Sequence, residues 1–384
     1  MPSLIEPVTL RGLTLRNRIV ISPMCQYSAE DGIAGDWHLV QYGRFAVGGA
    51  GLVFVEATAV SPEGRITHGD TGIWSDAHAA ALARIATFVT SQGAVPGIQL
   101  GHAGRKASMQ RPWFGNGPLG PEDAARGDLP WPILAPSALP IGAGYLLPEA
   151  LDEAGIRRII AAFLAAAERA RGAGFEVVEL HGAHGYLLHQ FLSPLTNRRT
   201  DAWGGDAAGR MRLPLEIARG VRALWPQDRP VFMRISCVDG VQGGLTLEDQ
   251  IGFARALREA GVDVVDCSSG GIGGPATAAK GPPRGYGHQV PYAARIRAEA
   301  GIATMAVGLI VDPRQAQAVL DAGAADLVAI GRQALEEPNW PLAAVAALAS
   351  PAARHAASPH QHGWWLANRQ AALERIGPWR GDVA

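Results

Sequence analysis

The stretch His181-Gly-Ala-His184-Gly-Tyr186 sets two imidazoles and a phenol on one short turn, directly after the apolar run Phe175–Leu180. Polar groups crowded at the C-terminal end of a buried strand contribute little to packing. They suit a pocket that binds an oxygen and hands over a proton. Two imidazole N–H groups can hold a carbonyl oxygen or an anion. The same pair, with or without His102, has the donor type for zinc, yet no acidic residue stands at a strand end to complete a metal set. No metal is therefore expected. Facing carboxylates of the kind that cleave glycosides are missing too.

Other reactive types recur at the ends of apolar runs. They are Ser22-Pro23-Met24-Cys25-Gln-Tyr27, Ala57-Thr58, Gln99-Leu-Gly-His102, Arg234, Ser268-Ser269, Gly308 and Gly331-Arg332. Arg234 has no acid near it in sequence, so a ligand rich in heteroatoms is expected to satisfy it. Gln99 can both donate to and accept from such a ligand. Cys25 suits a small buried hydrophobe as well as a functional thiol. Gly308 and Gly331-Arg332 follow the seventh and eighth runs, where barrels cradle phosphate on backbone N–H groups; ordinary turn glycines are the alternative.

Eight elements must carry these ends. The runs are Ile19–Ile21, Gly51–Glu56, Val95–Leu100, Phe175–Leu180, Val231–Ile235, Val262–Cys267, Ala303–Val307 and Leu327–Ile330. They are continuous and do not alternate, as parallel strands covered on both faces require. Amphipathic stretches lie between them, at 37–48, 76–92, 152–172, 207–224, 246–260, 291–300, 312–322 and 338–348. Ser75-Asp76, Thr246-Leu-Glu-Asp249 and Asp312-Pro313 read as helix starts, and Gly172, Gly261 and Gly323 as left-handed stops.

Eight β/α units predict a closed (β/α)8 TIM barrel, an α/β fold, as a single domain over residues 1–384. A doubly wound sheet is disfavoured because no Gly-x-Gly-x-x-Gly follows the first run. Residues 101–150, rich in Gly and Pro with Trp113 and Trp131, form a long insertion after the third strand and are expected to act as a lid. Residues 350–384 form an extension whose aromatic content suits packing against another subunit.

Composition narrows the class. The 384 residues carry 34 basic and 35 acidic side chains, so neither nucleic acid nor an anionic membrane is expected as a partner. The start lacks the basic and apolar pattern of a signal peptide, and no run is long enough to span a bilayer. Three scattered cysteines fit a reducing cytoplasm and exclude a C-x-x-C metal or cluster motif.

Taken in order, Leu10-Arg-Gly-Leu-Thr-Leu-Arg-Asn17, Ser22–Tyr27, Gly101-His-Ala-Gly-Arg-Lys106, His181–Tyr186 and Asn197-Arg-Arg-Thr-Asp-Ala-Trp-Gly-Gly205 resemble the Old Yellow Enzyme family of flavin-dependent ene-reductases. The likeness is greatest to its bacterial thermophilic-like and xenobiotic-reductase-type branch. It implies an NAD(P)H oxidoreductase with tightly bound FMN, and NADPH or NADH as a visiting hydride donor. The reaction implied is reduction of the C=C bond of enones and other activated alkenes, with hydride passed from flavin N5 to Cβ and a proton to Cα. By resemblance, Ser22, Pro23, Met24, Cys25, Ala57, Gln99 and Arg234 hold the ring, and Gly308, Gly331 and Arg332 the phosphate. His181, His184 and Tyr27 bind the substrate carbonyl, and Tyr186 gives the proton. Cys25 tunes the flavin, and Lys106 lines the pocket. The segment Gly363-Trp-Trp-Leu366 resembles the type in which an aromatic, here Trp365, enters a neighbouring subunit of a homodimer or homotetramer. Val307 stands where some relatives carry tryptophan, which alters the pocket's shape.

Overall fold

The computed structural model describes residues 2–274, 285–379 and 381. Eight parallel strands close into a barrel: β1 (Ile19–Ile21), β2 (Leu52–Ala59), β3 (Val95–Gly101), β4 (Val177–Gly182), β5 (Val231–Ser236), β6 (Val264–Ser268), β7 (Ala303–Ala306) and β8 (Leu327–Ile330). Each strand pairs with its neighbour in sequence, and β8 returns to β1 through Ala329 opposite Val20. The outer ring is α1 (Asp36–Val47), α2 (Asp76–Ser91), α3 (Glu153–Gly172), α4 (Ala207–Leu224), α5 (Leu247–Glu259), α6 (Val290–Ala300), α7 (Pro313–Asp321) and α8 (Trp340–Leu348).

Side-chain alternation along each strand divides the apolar core in two. Val20, Leu52, Phe54, Val177, Phe232, Val264, Met305 and Leu327 fill the lower interior of the barrel. Ile19, Ile21, Val53, Val178, Met233 and Val265 face outward and meet the helices. A hairpin not anticipated from the sequence, Val8–Leu10 with Leu13–Leu15, supplies Leu15 to the interior cluster.

Helix starts follow their caps. Thr246 and Asp249 form a reciprocal capping box, Asp312 accepts from the Arg314 amide, and Asp152 from Gly155. Ser75 differs: its hydroxyl meets His78 Nδ1 at 2.6 Å and caps no amide. Gly261 and Gly323 are left-handed as expected, at φ 91° and 63°, but Gly172 still lies within α3, and Gly174 makes the turn at φ 88°. The helix therefore runs its last turn through Gly172 before the chain reverses.

The 101–150 insertion contains short helical turns and a two-residue strand pairing of Leu134-Ala135 with Glu149-Ala150. The C-terminal extension forms two helices, Pro351–Ala357 and His360–Ile376; residues 380 and 382–384 lie outside the described part.

Candidate active site at the barrel mouth

The same alternation that buries Val177, Phe232 and Val264 carries inward, two residues on, Glu179, Arg234 and Asp266, and two further on His181, Ser236 and Ser268. An apolar floor thus gives way to a charged layer, and that layer to a mouth rich in imidazole and hydroxyl groups.

Strand register brings the charged layer together. Asp266 lies opposite Arg234 across β6 and β5, and its Oδ2 is 3.2 Å from Arg234 Nε. This corrects the expectation that Arg234 lacks an acidic partner: the pairing comes from a neighbouring strand, invisible along the chain. The approach is an ion pair whose angle misses that of a hydrogen bond, so Arg234 Nε and both Asp266 oxygens stay without hydrogen-bond partners among the described residues. Arg234 Nη1 donates to Ser22 Oγ at 3.2 Å. Gln99 Nε2 donates to Glu179 Oε1 at 2.8 Å, so part of its donor capacity is already used. Burial raises the Glu179 and Asp266 carboxyls; the Asp266 charge raises Glu179 further, and Arg234 opposes both shifts.

The histidine turn is a strained loop held from several sides. His184 sits at φ 59°, a left-handed conformation costly for a residue with a Cβ. Its amide donates to Ser236 Oγ at 2.9 Å, and Lys106 Nζ donates to its carbonyl at 2.8 Å and to that of Gly271. The Gly185 amide donates to His189 Nδ1 at 2.8 Å, leaving His189 Nε2 to face Asp239 Oδ1 at 2.7 Å. Gly271 has to be glycine here, because an added Cβ would come within 2.5 Å of the His184 Cα. Tyr186 then caps the short helix Leu187–Leu192.

This framework brings the three predicted side chains together. The His181 and Tyr186 rings lie 4.8 Å apart and the His181 and His184 rings 5.2 Å apart, each pair edge-on. Burial first, then the Arg234 charge, pushes both imidazoles well below the usual histidine range, so they are neutral at pH 7. His181 Nδ1 accepts from the Ala183 amide at 3.3 Å, which places its proton on Nε2. His184 Nε2 meets Ser268 Oγ at 2.6 Å. Burial raises the Tyr186 hydroxyl well above the ordinary phenol value, with Cys25 and Asp70 adding to the shift, so it keeps its proton.

Ser22 is buried, while Pro23, Met24, Cys25 and Tyr27 line the mouth half-buried. Burial pushes the Cys25 thiol up, against its activation as a thiolate. Tyr27 stands at φ 52° with its ring 6.0 Å from that of Trp113, in the insertion. A bulge between Val55 and Ala57 turns Glu56 toward Tyr42 and His38 of α1 and leaves Ala57 beside His181 and Tyr186. Gly308 and Gly331 are half-buried after β7 and β8, and Arg332 is exposed.

These residues fit FMN. Arg234 is a buried guanidinium whose Nε faces Asp266 and whose Nη1 reaches Ser22, and around Gly331 the chain leaves room: an added Cβ would meet nothing nearer than Met24 Sδ at 3.9 Å and Ser22 Cβ at 4.0 Å. No three His, Cys, Asp or Glu side chains converge to hold a metal among the described residues. No helix among them is long and apolar enough to cross a membrane. Trp365 lies away from this constellation within one chain, 68% exposed on the last helix, with its ring against Trp364.

Sequence reasoning passed over several residues that build the site. Glu179 and Asp266 are hidden inside apolar runs. Asp70, in the loop after β2, leaves no pattern in the chain. Lys106 is expected to line the pocket, but its role as a fastener of the His184 and Gly271 carbonyls has no sequence signal.

Comparison with known proteins gives the family. Residues 3–350 match the NADH:flavin oxidoreductase / NADH oxidase family. The NADPH dehydrogenase of Geobacillus sp. (strain WCH70) is 44% identical over 363 residues, which cover 94% of this chain and 98% of that protein. Among solved structures, morphinone reductase superposes with a TM-score of 0.72 at 28% identity, covering 88% of each chain. The Old Yellow Enzyme homologue from Zymomonas mobilis gives a TM-score of 0.71 at 27% identity, over 88% of this chain and 91% of its own. The barrel, its mouth and its relatives thus agree: this chain belongs to the NADH:flavin oxidoreductase family and is an FMN-dependent NADPH oxidoreductase of the Old Yellow Enzyme kind.

Proposed function

We propose that the enzyme reduces the C=C bond of α,β-unsaturated carbonyl compounds, and of comparably activated alkenes. The observation that carries this reading is the pairing of two neutral imidazoles with a protonated phenol, with the His181 ring 4.8 Å from that of Tyr186.

In this reading Ser22, Pro23, Met24, Cys25, Ala57, Gln99 and Arg234 hold the flavin ring, and Gly308, Gly331 and Arg332 its phosphate. FMN, when bound, supplies the hydride that NADPH has delivered to it. His181 Nε2–H and His184 Nδ1–H donate to the substrate oxygen, with Tyr27 beside them. For His184 this requires Ser268 to give its hydrogen to Nε2. Two neutral donors draw electrons toward that oxygen and stabilise it as negative charge gathers there. Tyr186 releases its proton to Cα, which a phenol can do when the developing carbanion is the stronger base. Trp113, edge-on to Tyr27, brings the insertion to one side of the mouth. Trp365 is exposed and free to reach the mouth of a second copy in a homodimer or homotetramer.

Anaerobic mixing of the FMN-loaded enzyme with NADPH should bleach the flavin, and an enone such as cyclohexenone should restore its colour. Tyr186→Phe should slow the second step by about 100-fold or more and spare the first. Wild-type rates in both steps would remove Tyr186 from its role, and a flavin that stays bleached with every enone would remove the substrate class.

A further inference from the structure

Tyr186 lines a cavity of about 10 Å³, the room of one water molecule. Its lining includes His181 and Tyr186 of the catalytic turn together with Asp70 and His102. Asp70 and His102 are each only 2% exposed. His102 Nδ1 accepts from the Gly104 amide at 3.0 Å, so its proton sits on Nε2, and that N–H has no hydrogen-bond partner among the described residues. A buried N–H left so is costly and calls for an acceptor. Asp70 already accepts from the Ile66 amide at 2.8 Å, and from the Thr67 amide at 3.1 Å and hydroxyl at 2.7 Å. These bonds fix the carboxyl in place and leave one lone-pair position, on Oδ2, open to the cavity water or to the carboxyl's own proton.

We propose that a water in this cavity, held by the His102 Nε2–H, links Asp70 to Tyr186 and returns a proton to the tyrosine after each turnover. The inference rests on Tyr186 being the donor to Cα. Once Tyr186 has given its proton to carbon, its phenolate takes one from the water, breaking an O–H bond there. The water takes one from the Asp70 carboxyl, and Asp70 recovers it from solvent. One solvent proton is consumed per product, and no electrons move in the relay.

The site is built for a carboxyl that holds and releases a proton near neutrality. Burial raises Asp70 to about 7, with the Glu56 charge adding to the shift and the Thr67 and Ile66 donors opposing it. Burial lowers His102 to about 4, with Glu63 opposing, so the imidazole stays neutral and serves as a fixed donor. Tyr27, Cys25 and Tyr186 feel the same Asp70 charge, which ties the carboxyl electrically to the mouth.

The test separates the first protonation from the reloading. Enzyme reduced beforehand carries a protonated Tyr186, so in Asp70→Asn the first reoxidation by cyclohexenone should keep its wild-type rate. Tyrosinate, followed by its near-ultraviolet absorbance, should then outlast flavin reoxidation about tenfold longer than in the wild type. Asp70→Glu should shorten that lifetime again. His102→Asn keeps an acceptor for the Gly104 amide and removes Nε2, and should show the same persistence; it carries the test if Asp70→Asn does not fold. Slowing of the first reoxidation to the same degree in either folded variant would mean a structural role and overturn the relay, as would tyrosinate decaying at the wild-type rate in both. If instead Tyr186→Phe leaves the first reoxidation intact, the donor assignment fails, and the relay with it.

Discussion

Lys106 Nζ donates to the backbone carbonyl of His184 at 2.8 Å, fixing from beneath a residue held at φ 59°. The ammonium also bonds Gly271, so one side chain from the loop after β3 fastens the turns after β4 and β6. Burial first, and the neighbouring Arg105 charge second, lower its pKa to about 7 from 10.5.

Lys106→Met should therefore leave two carbonyl oxygens unpaired and loosen the imidazole pair. Enone reduction should fall by about tenfold or more, since about 1.4 kcal/mol of lost positioning suffices for that. The pH signature has a definite sign. The unfolded chain keeps the lysine proton up to about 10.5 and the folded chain only to about 7, so between them folding releases a proton and stability rises with pH. Urea midpoints at several pH values between about 7 and 10.5 should show this rise as a wild-type-minus-variant difference that grows with pH, up to about 5 kcal/mol. Parallel curves would mean that Lys106 titrates normally.

The proposed donor role of His184 Nδ1 needs Ser268 to give its hydrogen to Nε2 in preference to Gln289 Oε1, 3.5 Å away. With its hydroxyl 2.6 Å from Nε2, removal in Ser268→Ala frees the ring to place its proton on either nitrogen. The kcat/KM for an enone should fall about tenfold, while the rate of flavin bleaching by NADPH stays within about twofold. An unchanged kcat/KM would assign the His184 donor to Nε2 itself.

Two glycines should separate cofactor space from backbone strain. An added methyl at Gly331 meets only open room in the protein, so Gly331→Ala should weaken FMN binding about tenfold and leave the melting temperature of the apoprotein unchanged. Gly308 stands at φ 116° with Gln289 Nε2 2.7 Å from an added Cβ. Gly308→Ala should cost the apoprotein about 1–3 kcal/mol as well. Fluorescence titration with FMN and thermal melts distinguish the two. Equal FMN affinity in Gly331→Ala would place the phosphate elsewhere.

Much of this was legible in the chain because parallel strands buried on both faces announce themselves as unbroken apolar runs. The strands began within two residues of where the runs did, and β3 and β4 ran on through Gly101 and Gly182, so that His181 lies within β4. The Val8–Leu15 hairpin escaped notice because its turn is Arg11-Gly12, with Arg11 at φ 52° where Asn or Asp usually marks such a turn. Glu179 and Asp266 escaped for a different reason. Each sits inside an apolar run, and only closure of the barrel brings them to Gln99 and Arg234. Likewise no spacing rule could join Asp70 to Tyr186, which are 116 positions apart and line one cavity.

The fastening of His184 also limits how this protein can be recombined. Lys106 and His184 come from the first half of the barrel and Gly271 from the second. A chimera spliced between β4 and β5 must inherit, from its other parent, a loop after β6 whose backbone runs at the same height, or the imported half will close the barrel yet misplace its histidine. Shuffled libraries built from relatives should accordingly yield many coloured, folded hybrids and few active ones, with the survivors sharing glycine at position 271.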